Sequence, residues 1–289
     1  MRIAILSDTR HPTLPDGGHG LGRSAWDIAT GLLKRGHEVT LYAAAGSQFD
    51  GQLISHEDEI ARSVKLSHSD HFRRSYDAIL DTTHHHQLSK NRPVWPVVNR
   101  VCDMECKYAP PNAVTNSPYM QGRYGGKLVN TGVDVEAIPF FPEHDGYVVF
   151  VGKQEPRKGW PRVKQVAQEA GLELRTVDGL TGDEKWQAIG RAMVLLHPSV
   201  DAAPRTPLEA AACGVPTVCL NEGGTPWHVA NGVTGYAVRG WEDMAYWVKV
   251  SDKLNRQSIR NWANDCHNLS DMIDGYEDAL MSVANGVMW

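Results

Sequence analysis

The fold is decided first by residues 2–22, RIAILSDTRHPTLPDGGHGLG. Residues 2–8 have the apolar composition of a buried strand, and residues 16–22 form a glycine-rich loop. A helical pattern follows over residues 24–35, and residues 38–43 again have the composition of a strand. A strand, loop, helix and strand joined by a right-handed crossover predict a parallel sheet.

The second half of the chain repeats this plan. Residues 147–152, YVVFVG, are an apolar strand that ends in glycine, and a helical pattern follows over residues 159–170. A stretch with two prolines precedes this second start and is the predicted linker. We therefore predict an α/β protein with two Rossmann-like domains, residues 1–142 and residues 143–267, that face each other across a cleft.

Further elements are predicted from short apolar runs and helical periodicity. The predicted strands cover residues 78–81, 94–101, 113–115, 127–130, 173–177, 193–196 and 217–220. The predicted helices cover residues 183–191, 207–213 and 255–285.

Composition limits the classes of function. At 289 residues and 31.9 kDa, the chain is longer than one hydrophobic core usually organises, which favours two domains. The net charge is −5, so the chain lacks the strongly basic character of a nucleic-acid-binding protein, apart from a possible local patch. The residues of that patch are Arg62, Lys65, Arg73 and Arg74.

The expected location is the cytoplasm. The apolar run at residues 3–6 is too short for a signal peptide or a membrane span, and the five cysteines form no CxxC pair. Cys102 and Cys106 could suggest a metal pair, but without a second pair of suitable spacing no metal site is predicted. Residues 60–74 could form an amphipathic basic face for a peripheral position at the inner membrane face, or an ordinary solvated helix face. No transmembrane partner is implied.

Ligands of open α/β sheets bind beyond the carboxyl ends of the strands. The glycine-rich loop is the first such segment, and Gly17 and Gly18 would let backbone approach an anionic donor. The loop fits a dinucleotide fingerprint poorly, because Gly18, Gly20 and Gly22 alternate. A plain turn is the alternative.

The second segment, residues 152–159, places cations between a strand and a helix. Lys153 and Lys158 could neutralise a diphosphate there. A solvated surface loop is the alternative.

The third segment contains two carboxylates near one strand end, Asp201 and Glu209. Two carboxylates near this strand end could accept hydrogen bonds from the hydroxyls of a sugar and a ribose. Glu209 also fits a capping box with Thr206, with Pro207 at the first helical position. The residues that lead into the helix are assigned to the donor site as well: Arg205, Thr206, Pro207 and Leu208.

The fourth segment is the run His84, His85 and His86, which follows the strand-like residues 79–81. We predict that His84 or His85 contacts the substrate. Metal binding and a solvated loop are the alternatives.

With these segments in order, the chain resembles glycosyltransferase family 4, the retaining enzymes with the GT-B fold. The matching stretches are GGHGLGRSAWDIATGLLKRGHEVTLYA near the N-terminus, NTGVD at 130–134, VFVGKQEPRKGW at 149–160 and HPSVDAAPRTPLEAAACGVPTV at 197–218. The terminal helix, residues 268–289, resembles the family helix that packs back on the first domain.

The resemblance implies specific roles for the site residues. Lys153 and Lys158 would bind the donor diphosphate, Glu209 the ribose hydroxyls and Asp201 the transferred sugar, at a position where the family usually has glutamate. The predicted catalytic set is His84, His85, Asp201 and Glu209.

The predicted function is transfer of a hexosyl group, with retention, from a nucleoside diphosphate sugar to an acceptor hydroxyl. A UDP-sugar is the favoured co-substrate, and no metal or other cofactor is expected because no strand ends in a DxD motif. A GT-B-like nucleotide-sugar epimerase and a non-catalytic nucleotide-sugar binding protein are the alternatives. The acceptor is left open among a lipid, a saccharide, a small molecule and a modified nucleobase.

Overall fold

The computed structural model describes residues 1–16, 19–92 and 95–289. Contacts divide the chain into two compact units. The first consists of residues 1–130 together with 270–289, and the second of residues 131–269.

The first unit is built on a seven-stranded sheet in the order β3-β2-β1-β4-β5-β6-β7, with every pair parallel. Its central strand, Ala78–Asp81, is fully buried and apolar in its first three residues, because helices cover both faces of such a sheet. The strand order reverses between β1 and β4, and ligands of this fold bind at that point. The strands are β1 (Arg2–Leu6), β2 (Glu38–Ala43), β3 (Gln52–Ser55), β4 (Ala78–Asp81), β5 (Val97–Val101), β6 (Ala113–Thr115) and β7 (Lys127–Leu128).

In the part of the first unit that the structure describes, the connecting helices are α1 (Gly20–Lys34), α2 (Glu59–Ser67), α3 (Asp70–Ser75), α4 (Gln87–Asn91) and α5 (Pro118–Tyr124). The prediction that residues up to Gly22 form a loop is wrong, because α1 begins at Gly20. A side chain at Gly22 would place its Cβ 3.4 Å from the carbonyl oxygen of Pro12, so the first turn of α1 runs against that segment.

The predicted basic face over residues 60–74 is not continuous. Helix α2 ends at Ser67, and α3 has a separate N-cap at Ser69. Arg62 is only 2% exposed and donates hydrogen bonds to backbone carbonyls of Ser7 and Tyr42. Burial therefore removes Arg62 from the predicted basic patch.

The second unit has a five-stranded parallel sheet in the order β12-β11-β10-β8-β9. Its order reverses between β8 and β10. The strands are β8 (Val148–Val151), β9 (Leu174–Val177), β10 (Val194–His197), β11 (Thr217–Leu220) and β12 (Gly235–Val238). The predicted α/β class with two Rossmann-like parallel sheets is confirmed.

The helices of the second unit are α6 (Trp160–Ala170), α7 (Gly182–Gly190), α8 (Thr206–Ala212), α9 (Met244–Ser251) and α10 (Arg256–His267). Short 3-10 turns cover residues 156–158, 225–228 and 241–243. Neither β12 nor α9 was predicted from the sequence.

Residues 131–142, which the sequence analysis assigns to the first domain, pack within the second unit. Val133, Val135 and Ile138 are buried in its core. Arg260 of α10 donates hydrogen bonds to the carbonyls of Val135 and Ile138, which ties this segment to the helix.

The last helix, α11 (Leu269–Ala284), runs into the first unit. It packs so closely on α1 that a Cβ at Gly31 would overlap the Ile273 side chain. Glu277 also accepts a hydrogen bond from Arg35 at 2.6 Å. The helical stretch predicted over residues 255–285 is therefore two helices, which separate at Asn268. Within the described residues, no helix is both long and apolar enough to span a membrane.

Candidate functional site

The strand ends of the second sheet bring two predicted site residues together. Lys158 lies in the 3-10 turn after β8, and Asp201 follows β10, the neighbouring strand. Lys158 Nζ lies 2.9 Å from Asp201 Oδ1. The ion pair therefore sits at the point where the strand order reverses.

A close backbone contact makes this pairing possible. Gly159 has φ +77°, and a Cβ at this position would lie 2.6 Å from Pro198 Cγ. Only glycine lets the turn after β8 approach the loop after β10 so closely. The contact places Lys158 within reach of Asp201.

Asp201 is held in a network of polar groups. Ser199 Oγ donates to Asp201 Oδ2 at 2.7 Å, and His197 Nε2 lies 3.2 Å from the same oxygen. Burial favours the neutral acid, but the interactions with His197, Lys158 and Ser199 outweigh it and hold the pKa of Asp201 well below its usual range. The carboxylate is thus ionised and oriented.

The loop after β11 fixes the backbone of Asp201. Gly223 has φ +68°, and a Cβ there would lie 2.8 Å from the Asp201 carbonyl oxygen. The N–H of Gly224 donates to the same oxygen at 2.8 Å. His228, in the following 3-10 turn, donates from Nδ1 to the Pro204 carbonyl, and burial lowers its pKa to about 3, so its ring is neutral near pH 7.

Helix α8 begins differently from the prediction. Arg205 is its N-cap residue, without a side-chain capping hydrogen bond, and Thr206 is the first helical residue. The predicted capping box is therefore wrong, because a capping box needs Thr206 outside the helix. Pro207 lies in the first turn but is the second helical residue, not the first as predicted.

Glu209 instead pairs with cations. Lys185 Nζ of α7 lies 2.8 Å from Glu209 Oε2, and Arg205 Nε lies 3.8 Å from Oε1. Arg205 Nη1 also donates to the Gly132 carbonyl at 3.2 Å. Glu209 is only 8% exposed, so these cations offset the cost of burying its charge.

The other residues predicted to bind the donor differ in how far they are exposed. Lys153 is exposed, and Thr206 is half-buried at the start of α8. Leu208 is fully buried in the core, and its N–H donates to the Arg205 carbonyl. Gly17 and Gly18 lie outside the described residues.

The histidine run lies in the first unit, after β4. His84 Nδ1 is 3.3 Å from Asp103 Oδ2, His85 is exposed and His86 is buried with φ +46°. Burial lowers the pKa of both His84 and His86. Among the described residues, no group of three His, Cys, Asp or Glu side chains is placed to hold a metal ion.

Three polar residues of the second-unit site had no predicted role. His197 and Ser199 could have been found, since they immediately precede Asp201 at a strand end. Lys185 carried no sequence signal, because its contact with Glu209 joins residues in different helices.

The two parallel-sheet units define the class of architecture: an α/β protein with two Rossmann-like domains, as in structures with the GT-B fold. Within it, residues 135–261 match the family described as glycosyl transferases group 1. No curated protein matches the sequence.

Solved structures agree on the fold. AviGT4, described as a glycosyltransferase involved in avilamycin A biosynthesis, is similar with a TM-score of 0.81 and 16% identity, over 100% of this chain and 99% of that chain. Anabaena HepE in complex with UDP-glucose is similar with a TM-score of 0.72 and 14% identity, over 98% of this chain and 100% of that chain. The sucrose-phosphate synthase of Thermosynechococcus elongatus is similar with a TM-score of 0.72 and 13% identity, over 99% of this chain and 100% of that chain. The family match and the fold together support a glycosyltransferase that uses a nucleotide-sugar donor.

Proposed function

We propose that this protein transfers a hexosyl group from a UDP-sugar to an acceptor hydroxyl, with retention of anomeric configuration and without a metal ion. The observation that carries the proposal is the Lys158–Asp201 ion pair at the strand-order reversal of the second sheet. Solved HepE complexes with UDP-glucose and with UDP support this choice of donor.

Departure of the diphosphate is the demanding step of such a transfer. Lys158, with Lys153 from the same loop, would neutralise the charge that develops on the diphosphate, which is the role of a metal ion in other transferases. Lys158 is already held by Asp201, so little reorganisation of this cation would be needed. This is why we expect metal-independent turnover.

The two carboxylates would bind the rest of the donor. Glu209 would accept hydrogen bonds from the ribose hydroxyls and Asp201 from the transferred sugar, as the resemblance to family 4 implies. Lys158 would then link the donor diphosphate to the transferred sugar, because its ammonium, which contacts Asp201, would also contact the phosphate. Retention follows from the same resemblance, with the acceptor attacking from the face that the leaving group departs.

The state of Asp201 favours transfer over epimerisation. An epimerase needs a carboxylate that exchanges a proton, whereas the pKa of Asp201 lies well below its usual range despite burial, because His197, Lys158 and Ser199 stabilise the ionised form. A carboxylate that stays ionised suits hydroxyl binding.

We further propose a cytoplasmic location, which the five free cysteines support. We also propose that the first unit receives the acceptor, with His84 or His85 near it.

The test is a screen of UDP-, GDP- and ADP-sugars by thermal shift, followed by turnover assays with EDTA. A ligand that binds only the native state raises the melting temperature. We expect a UDP-hexose to give the largest shift and turnover to continue in EDTA, with NMR showing a retained anomeric centre. Activity that EDTA abolishes and manganese restores, or a donor epimerised without acceptor, would contradict the proposal.

A further inference from the structure

The turn after β11 carries a tryptophan at the same sheet edge as the Lys158–Asp201 pair. Strands β8, β10 and β11 are neighbours in one parallel sheet, so the segments that follow them leave from the same edge. Lys158 follows β8, Asp201 follows β10 and Trp227 lies in the 3-10 turn after β11. Along this edge the three residues therefore come in the order Lys158, Asp201, Trp227.

Hydrogen bonds fix the turn of Trp227 against the loop of Asp201. The N–H of Trp227 donates to the Gly224 carbonyl at 3.2 Å, and the N–H of Gly224 donates to the Asp201 carbonyl at 2.8 Å. His228, the next residue, donates from Nδ1 to the Pro204 carbonyl at 2.9 Å. The chain on both sides of Trp227 is therefore tied to the loop that carries Asp201.

Trp227 is open to solvent. All nine tryptophans of the chain lie within the described residues, and Trp227, at 44%, is the only exposed one. Thr225 and His228 of the same turn are buried, so they anchor the turn and leave Trp227 at the surface. Lys158 and Asp201 also keep accessible surface, 30% and 25% of their side chains. A ligand can therefore reach each of the three side chains from solvent.

We propose that Trp227 is a specificity-determining residue, whose ring stacks on the transferred hexose of the donor. This assignment rests on the proposed function, in which Lys158 binds the diphosphate and Asp201 the hexose. The order along the sheet edge then places the turn of Trp227 beyond Asp201, on the side away from the diphosphate. A pyranose has hydroxyls at its rim, which suit the Asp201 carboxylate, and apolar C–H faces, which suit an aromatic ring.

The contact would distinguish a UDP-hexose from UDP. Stacking removes apolar surface of the Trp227 ring and of the sugar from water, which is favourable. Because hydrogen bonds already fix the turn, little backbone entropy is lost when the hexose binds. The UDP part of the donor, which the proposed function assigns to Lys158 and Glu209, gains nothing from the ring.

The test measures binding of UDP-glucose, UDP-galactose and UDP to the full-length protein by calorimetry. Trp227→Ala should weaken binding of the tighter UDP-hexose at least about fivefold, about 1 kcal/mol, and binding of UDP by less than about twofold. Trp227→Phe, which keeps an aromatic face, should bind that UDP-hexose within about threefold of wild type. Tyr246→Ala, which removes an exposed aromatic ring from α9, is the control, and melting temperatures verify folding.

Three results with Trp227→Ala would overturn the proposal. Equal weakening of UDP and UDP-hexose binding would mean that Trp227 only supports the fold of the donor site. Unchanged binding of both would place the ring outside that site, and a change confined to the KM of an acceptor would assign the ring to the acceptor. Failure of the proposed function is distinct, because the wild-type protein would then bind neither UDP nor a UDP-hexose, and the assignment of Trp227 would fall with it.

Discussion

Lys185 Nζ lies 2.8 Å from Glu209 Oε2 and joins the first turns of two helices. The pair orients a carboxylate that is only 8% exposed, on the helix that follows the Lys158–Asp201 pair along the chain. Glu209 is thus held by Lys185 rather than acting as a helix cap.

Lys185→Met should weaken donor binding about three- to tenfold, because Glu209 loses the cation that orients its carboxylate. Glu209→Gln should lower donor kcat/KM about ten- to a hundredfold, since a charge-assisted acceptor is worth roughly 1.5–3 kcal/mol. The double variant should be no worse than Glu209→Gln alone, measured by calorimetry and steady-state kinetics. Lys249→Met, at an exposed position on α9, is the control. Near-wild-type kinetics for Glu209→Gln would remove Glu209 from the site.

The two lysines of the predicted diphosphate site should contribute unequally. Lys158→Met should weaken UDP binding at least about tenfold, because it removes a positive charge and releases Asp201 together. Lys153→Met should have a smaller effect, about two- to fourfold, because this side chain is exposed and screened by solvent. Calorimetric titration of UDP into both variants checks the order. Unchanged affinity in Lys158→Met would contradict the donor assignment.

Gly159→Ala should destabilise the protein and disturb the Lys158–Asp201 pair. Gly159 has φ +77° and no space for a Cβ, whereas Gly171 has φ +72° and nothing within 4 Å of that position. Both alanine variants therefore carry the backbone strain, about 1 kcal/mol, but only Gly159→Ala adds the clash with Pro198, about 1–3 kcal/mol more. Chemical denaturation measures the difference. Equal losses in the two variants would show that the contact with Pro198 does not matter.

The raised pKa of Glu59 has a predictable effect on stability. Because its pKa rises from 4.5 to about 7 on folding, mainly through burial, the folded state binds more protons between these values. The contribution of Glu59 to the free energy of unfolding should therefore fall as the pH rises from about 4.5 to about 7. Urea denaturation at pH 5 and pH 7.5 should show that wild type loses more stability over this interval than Glu59→Gln. A pH-independent difference between the two proteins would refute the shift.

Much of the fold could be predicted from the sequence. Strands such as Ala78–Asp81 and Thr217–Leu220 lie where the apolar runs place them, because a parallel strand buried on both faces must be apolar at nearly every position. The positions of Lys158 and Asp201 after strands also followed from local pattern. Strand β12 was not predicted because its four residues, GYAV, include a glycine and are only half-buried at two positions, so the apolar run is short.

Other features depended on contacts between distant residues. The sequence by itself determined the two parallel sheets and the polar residues at their strand ends, since periodicity and glycine placement are local properties. Only the tertiary structure decided that Arg62 is buried, that α1 begins at Gly20 and that Lys185 pairs with Glu209. A charged side chain has the same local signature on a surface or in a core, and only its partners across the fold determine which environment is stable.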